Sequence, residues 1–389
     1  MAMALNLPRA DRTIERYTPR GVALPKPESV PVFNRIAYAA AHVVSDPFAE
    51  EDPWRASAID WDATLAFRHH LWRHGFRIAE AMDTAQRGMG VTWDQARELI
   101  TRSVAEARTV PGADLACGAG TDQLDPSEAR SLDDVIRAYE EQFEAVEKAG
   151  GRAIMMASRA LARLARSPAD YEKVYGRILG QASGKVILHW LGDMFDPALA
   201  GYWGGRNFEE ALTTVLSIIS DNVAKVEGVK ISLLDAACEI ELRRRLPGEV
   251  VCFTGDDFNY ADLIEGDAEG HSHALLGIFD VIAANASAAL AALARDDAAR
   301  FRALIAPTVP LSRKIFEAPT QYYKAGVVFL AWLNGHQSHF TMPAGMQSAR
   351  GFLHYCDIYR FADAADALTD PDLARQRMAG FLAGHGIAQ

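Results

Sequence analysis

The sequence predicts an α/β protein built as a (β/α)8 barrel, that is, a TIM barrel with an N-terminal arm and a C-terminal helical extension. Three observations carry that expectation. Eight short apolar runs are spaced along residues 35–279, each is followed by a helix-like pattern, and beyond about residue 286 the strand signals stop. Short runs without polar alternation suit parallel strands buried on both faces, and eight such units suit a closed barrel better than an open sheet.

The elements follow in order. Residues 1–32 hold Pro8, Pro19, Pro25, Pro27 and Pro31 among arginines and read as an extended arm. Residues 33–285 make the barrel. Its strands are expected at 35–44 (RIAYAAAHVV), 76–82 (FRIAEAM), 113–117, 153–157 (AIMMA), 185–191 (KVILHWL), 226–231, 250–254 (VVCFT) and 273–279. The first helical pattern, 60–74, ends at Gly75, and the second opens on the capping residue Thr92 with an acidic first turn. A third, 132–148, stops at Gly150-Gly151, and a fourth opens on Pro168. Further helices are expected at 208–220, 236–245 and 260–265. Residues 286–389 read as helices throughout, alanine-rich at first and strongly apolar at 323–333, expected to pack on the barrel.

Bulk properties exclude several classes. With 389 residues, 49% of them hydrophobic, the chain buries a core that needs neither disulfide nor structural metal. A net charge of −11 argues against a nucleic-acid partner held by its phosphates. Cys117, Cys238, Cys252 and Cys356 are scattered without C-x-x-C pairing and read as reduced thiols. No run reaches the ~18 apolar residues that span a bilayer. The first residues lack the basic-then-apolar order of a signal peptide, so a cytoplasmic protein without a membrane partner is expected.

In such a barrel the chemistry lies at the C-terminal ends of the strands. The strand ends offer His42, Asp83 with Thr84, Asp114, Ser158, His189, Lys230, and Asp256 with Asp257. Lys230 stands out among them. Its amine attacks a carbonyl only when neutral, and an apolar strand end favours the neutral form. The run Cys117-Gly118-Ala119-Gly120-Thr121 has the glycines of a phosphate cradle but no lysine.

The order of these residues resembles the dihydrodipicolinate synthase and N-acetylneuraminate lyase family of lysine-dependent class I aldolases, across roughly residues 35–335. Glu227-Gly228-Val229-Lys230 is similar to that family's Gly-[Ile/Val]-Lys strand, whose lysine forms the Schiff base. Val250 to Thr254 followed by Gly255-Asp256-Asp257 is similar to its apolar strand ending in Ser-Gly-Asp-Asp. Val186-Ile187-Leu188-His189 resembles the strand that ends in the family's catalytic tyrosine. Ala81-Met82-Asp83-Thr84-Ala85-Gln86 falls where the family has Gly-Thr-Thr-Gly-Glu. Histidine thus replaces the tyrosine, Asp83 replaces one threonine of a pair, Ile231 replaces an acidic residue, and Met194 replaces an arginine. An aspartate in the loop that holds pyruvate's carboxylate turns the expectation away from pyruvate.

The resemblance implies Lys230, His189 and Thr84 as catalytic residues, with Asp83, Asp256 and Asp257 binding substrate hydroxyls. It implies lyase, aldolase or dehydratase chemistry on a sugar-derived keto or aldehyde compound, a covalent lysine iminium in place of any dissociable cofactor, and a homodimer or homotetramer. Two alternatives stay open. One is a divalent-metal sugar aldolase or isomerase with ligands from Glu80, Asp114, His189, Asp257 and His273. The other is a ligand-binding barrel without catalysis.

Overall fold

A computed structural model describes residues 4–389; the first three residues of the expected arm lie outside them. The described chain forms two compact units. One comprises residues 35–41 and 77–276, the other the residues up to Asn34, 42–76 and 277–389.

In the second of these units, the segment expected as an extended arm forms a two-stranded antiparallel hairpin, β1 (Leu5–Pro8) and β2 (Ile14–Tyr17). Helix Phe352–Ala364 holds it, because Asp363 accepts hydrogen bonds from the Tyr17 hydroxyl (2.6 Å) and the Gly21 amide (2.9 Å). Helix Trp61–Arg73 belongs to this unit with the C-terminal helices. So does His42, expected at the mouth of the barrel. Its ring Nδ1 bonds Asp280 at 2.9 Å, and Nε2 meets Gln337 at 3.2 Å.

The other unit contains all eight barrel strands. They are β3 (Ala37–Ala40), β4 (Arg77–Glu80), β5 (Leu115–Ala119), β6 (Arg152–Met155), β7 (Val186–Leu191), β8 (Val226–Ser232), β9 (Val251–Thr254) and β10 (His273–Leu276). All pair in parallel, and β10 closes onto β3. Tyr38, Ala79, Ala116, Ile154, Ile187, Phe253 and Leu275 fill the barrel interior, one or more from nearly every strand. The expected fold class holds.

Strand edges differ from the sequence reading in one consequential place. β5 runs on through Gly118 to Ala119, so the glycine run is strand up to Ala119 and only Gly120 and Thr121 lie beyond it. A Cβ at Gly118 would lie 2.7 Å from both Ala81 O and Met156 Sδ, so this crowded position takes no side chain.

Candidate active site

Parallel register sets the centre of the site. His189 on β7 and Lys230 on β8 are directly paired, and Lys230 pairs in turn with Phe253 on β9. Side chains at one register level share a face, and Phe253 belongs to the interior core, so the imidazole and the amine both enter the barrel. Both are buried. Two residues further along, Ser232 enters on the same face, with its Oγ 3.5 Å from His189 Nε2. Gly255 leaves room for them. A Cβ there would stand 2.1 Å from Ser232 Oγ and 2.9 Å from Lys230 Cε.

Electrostatics follow from that burial. Desolvation pulls the Lys230 amine below its ordinary value, against the opposing pull of the Asp83 and Asp257 carboxylates. Desolvation also drives His189 down to about 3, helped by the Lys230 charge and opposed by Asp83. The imidazole is therefore neutral at physiological pH. Asp83 Oδ2 lies 4.0 Å from Nδ1, which is otherwise without a hydrogen-bond partner. A proton on Nδ1 facing the carboxylate leaves Nε2 as the acceptor toward Ser232, and this tautomer is assigned from the partners.

A cavity of about 400 Å³ opens beside this centre, lined by His189, Asp83, Thr121, Met156 and Leu191 from the ends of β4 to β7. Its charged wall comprises Asp83, Asp122, Asp125 and Asp196 against Arg87 and Arg159. Both arginines are engaged. Arg159 Nε donates to Asp196 at 2.5 Å. Arg87 is buried, donates to Gly118 O at 2.7 Å and Gln142 Oε1 at 2.7 Å, pairs with Asp122, and stacks over Trp93 at 5.2 Å. The wall thus carries surplus carboxylate.

Asp83 and Thr84 begin a 3-10 turn (Asp83–Ala85) just past β4; Asp83 lines the cavity, and Thr84 is buried in the turn. Asp257 lies close enough to Lys230 to act on its charge. Asp256, expected to bind substrate, is engaged by its own turn. Its carboxylate accepts from the Phe258 and Asn259 amides (2.8 and 3.0 Å) and from Asn259 Nδ2 (2.8 Å), which fixes its own turn. Ser158 likewise caps the helix Arg159–Leu164 and bonds Thr121 Oγ1 at 2.6 Å.

The alternative metal set is not assembled. Asp114 immediately precedes β5, and there it pairs with Arg152 and Arg77. His273 opens β10, its Nδ1 accepting from the Ile36 amide at 3.1 Å. Both therefore sit at the strands' N-terminal ends, the length of the barrel from His189. Glu80 neighbours the inward Ala79, so it faces out of the barrel beside its register partner Cys117. Among the described residues no group of three or more His, Cys, Asp or Glu is disposed to hold a metal. No helix among them is long and apolar enough to cross a membrane.

Sequence reading missed Ser232, Arg87 and the Arg159–Asp196 pair. Ser232 alone had a local signal, standing two residues after Lys230 on a strand.

Fold and site together define a (β/α)8 barrel with a buried lysine and histidine side by side at its C-terminal mouth. The chain belongs to the family described as proteins of unknown function, DUF993, matching it over residues 5–387. No curated protein matches it. Solved structures do. Dihydrodipicolinate synthase from Thermotoga maritima superposes with a TM-score of 0.63 at 13% identity, over 87% of this chain and 100% of that one. The Aquifex aeolicus enzyme gives 0.62 at 11% identity, over 86% and 99%. The Oceanobacillus iheyensis enzyme gives 0.55 at 15% identity, over 80% and 89%. At these identities the likeness shows the fold alone.

Proposed function

We propose that this protein is a Schiff-base lyase, an aldolase or dehydratase, acting on a sugar-derived ketone or aldehyde. The observation that carries the reading is the buried Lys230 amine, lowered by desolvation, in register with a neutral imidazole that lines a cavity. The amine adds to the substrate carbonyl and water leaves, giving an iminium that draws electrons from the neighbouring carbon. Breaking a C–C bond, or removing a proton and then a hydroxide, proceeds through the enamine. His189 moves the proton, assisted by Thr84. Asp83 and Asp257 accept from substrate hydroxyls. The surplus carboxylate of the wall supports an uncharged polyhydroxy compound over a keto acid. By the family resemblance the chain works as a homodimer or homotetramer.

The test is borohydride trapping with pyruvate and a panel of sugar-derived ketones and aldehydes, followed by peptide mass mapping. A substrate-sized adduct on Lys230, absent in Lys230→Arg, is expected with the hydroxylated compounds. An adduct on another lysine, or none with any compound, sinks the reading.

A further inference from the structure

Asp83, His189 and Ser232 stand in line. The carboxylate faces Nδ1 of the imidazole at 4.0 Å, and the hydroxyl faces Nε2 at 3.5 Å. All three sit beside Lys230, since Asp83 acts on its charge and His189 is its register partner. Ser232 is near Lys230 in a definite sense. Its Oγ and the Lys230 Cε both lie within 2.9 Å of one point above the Gly255 Cα, the space a side chain there would fill. Alternation on β8 turns Lys230 and Ser232 to one face. The hydroxyl therefore lies near both the amine arm and the imidazole. Among the described residues Ser232 is the N-cap of no helix, and its hydroxyl has the His189 ring as a neighbour at 3.5 Å.

We propose that the Ser232 hydroxyl carries protons between the Lys230 nitrogen and His189, with Asp83 orienting the imidazole. The inference rests on the imine reading above. In the first step the amine lone pair forms the C–N bond and the carbonyl π pair moves onto oxygen. The proton on nitrogen passes through Ser232 to His189 Nε2 and returns by the same hydroxyl to that oxygen. A second proton, taken up from solvent, leaves with the hydroxyl group as water while the nitrogen lone pair forms C=N⁺. Asp83 faces the Nδ1 proton throughout and steadies the transient imidazolium. The separations of 4.0 and 3.5 Å are to tighten when substrate is bound, as catalytic hydrogen bonds do.

The experiment times the trapping reaction. Protein is mixed with dihydroxyacetone, quenched with borohydride at increasing intervals, and the adduct on Lys230 is followed by intact mass. Ser232→Ala is expected to reach the wild-type end point about 10²-fold more slowly, the usual worth of a positioned proton carrier. His189→Gln should slow it similarly. The double variant should be no slower than the slower single one, because members of a relay act as a unit. Ser232→Thr, which keeps the hydroxyl, should stay within about threefold of wild type. Wild-type rates in Ser232→Ala or in His189→Gln, or losses that multiply in the double variant, overturn the relay. Equal slowing in Ser232→Thr assigns the effect to packing and overturns it too. Absence of any wild-type adduct with dihydroxyacetone and with the wider panel is a different failure, which removes the imine reading and the relay with it.

Discussion

Glu239→Gln should free this protein from a specific alkaline instability. Glu239 lies on helix Ala236–Arg245, buried against the ends of β9 and β10, where the Ser272 hydroxyl donates to it at 2.6 Å. Its other carboxyl oxygen has no partner. Desolvation is the main cause that pushes this carboxyl from 4.5 up to about 8, with the Ser272 hydrogen bond opposing it. A unit of pKa is worth about 1.4 kcal/mol, so ionising Glu239 costs the folded state roughly 5 kcal/mol more than it costs the unfolded chain. The sign is fixed by proton counting. Between pH 4.5 and 8 the folded state holds a proton that the unfolded state has lost, so stability falls as pH rises through that window. Below pH 4.5 both states are protonated and the penalty is absent; above pH 8 it is fully present. Glutamine cannot ionise. Urea denaturation at pH 5, 7 and 9 should show Glu239→Gln within about 1 kcal/mol of wild type at pH 5, its advantage growing to about 4–5 kcal/mol by pH 9. A difference that stays flat across the three pH values would refute the assignment of a buried, protonated carboxyl.

Two further substitutions probe the site's packing. Gly255→Ala places a methyl 2.1 Å from Ser232 Oγ and 2.9 Å from the Ile231 carbonyl, so both must yield; a loss of about 1–3 kcal/mol by urea denaturation is expected, and wild-type stability with wild-type trapping kinetics counts against the crowding. Arg87→Met removes the buried cation that joins Asp122, Gln142 and the Gly118 carbonyl, leaving the carboxylate at the cavity wall uncompensated. About 3 kcal/mol of stability should go with it, and a melting temperature unchanged from wild type would show that Asp122 finds water instead.

The barrel was legible because its evidence is local and repeated: eight apolar runs, each closed by a turn and followed by a helical pattern. Lys230 and His189 were legible for the same reason, each standing at or near the end of a run too apolar to be surface. The errors have physical causes. Gly118 looked like a turn, yet the absence of a side chain is what lets β5 pass Ala81 and Met156. Asp114 was counted as a strand end although it begins one. Glu80 was offered as a metal ligand at a strand end, but Ala81 after it takes a left-handed conformation (φ 52°) that breaks the strand's alternation. Met82 reaches the core, while Glu80 on the regular strand turns outward. Arg87 was invisible because what commits it, Asp122 and Gln142, lies 35 and 55 residues away. Asp256 was expected as a ligand, and its hydrogen bonds to Phe258 and Asn259 show a turn-forming role that the sequence reading had not given it.

The ladder between β7 and β8 pairs at six positions, against four or fewer between any other neighbouring strands of the barrel. That ladder carries His189, Lys230 and Ser232, so its amides should be among the slowest in the protein to exchange with solvent. Much of the cavity's charged wall hangs instead from connecting segments, Asp122 and Asp125 after β5 and Asp196 after β7. The rigid pair of strands and the variable loops can therefore change independently. Substitutions in those segments alter the charge of the wall while leaving the lysine, the imidazole and the hydroxyl where they are.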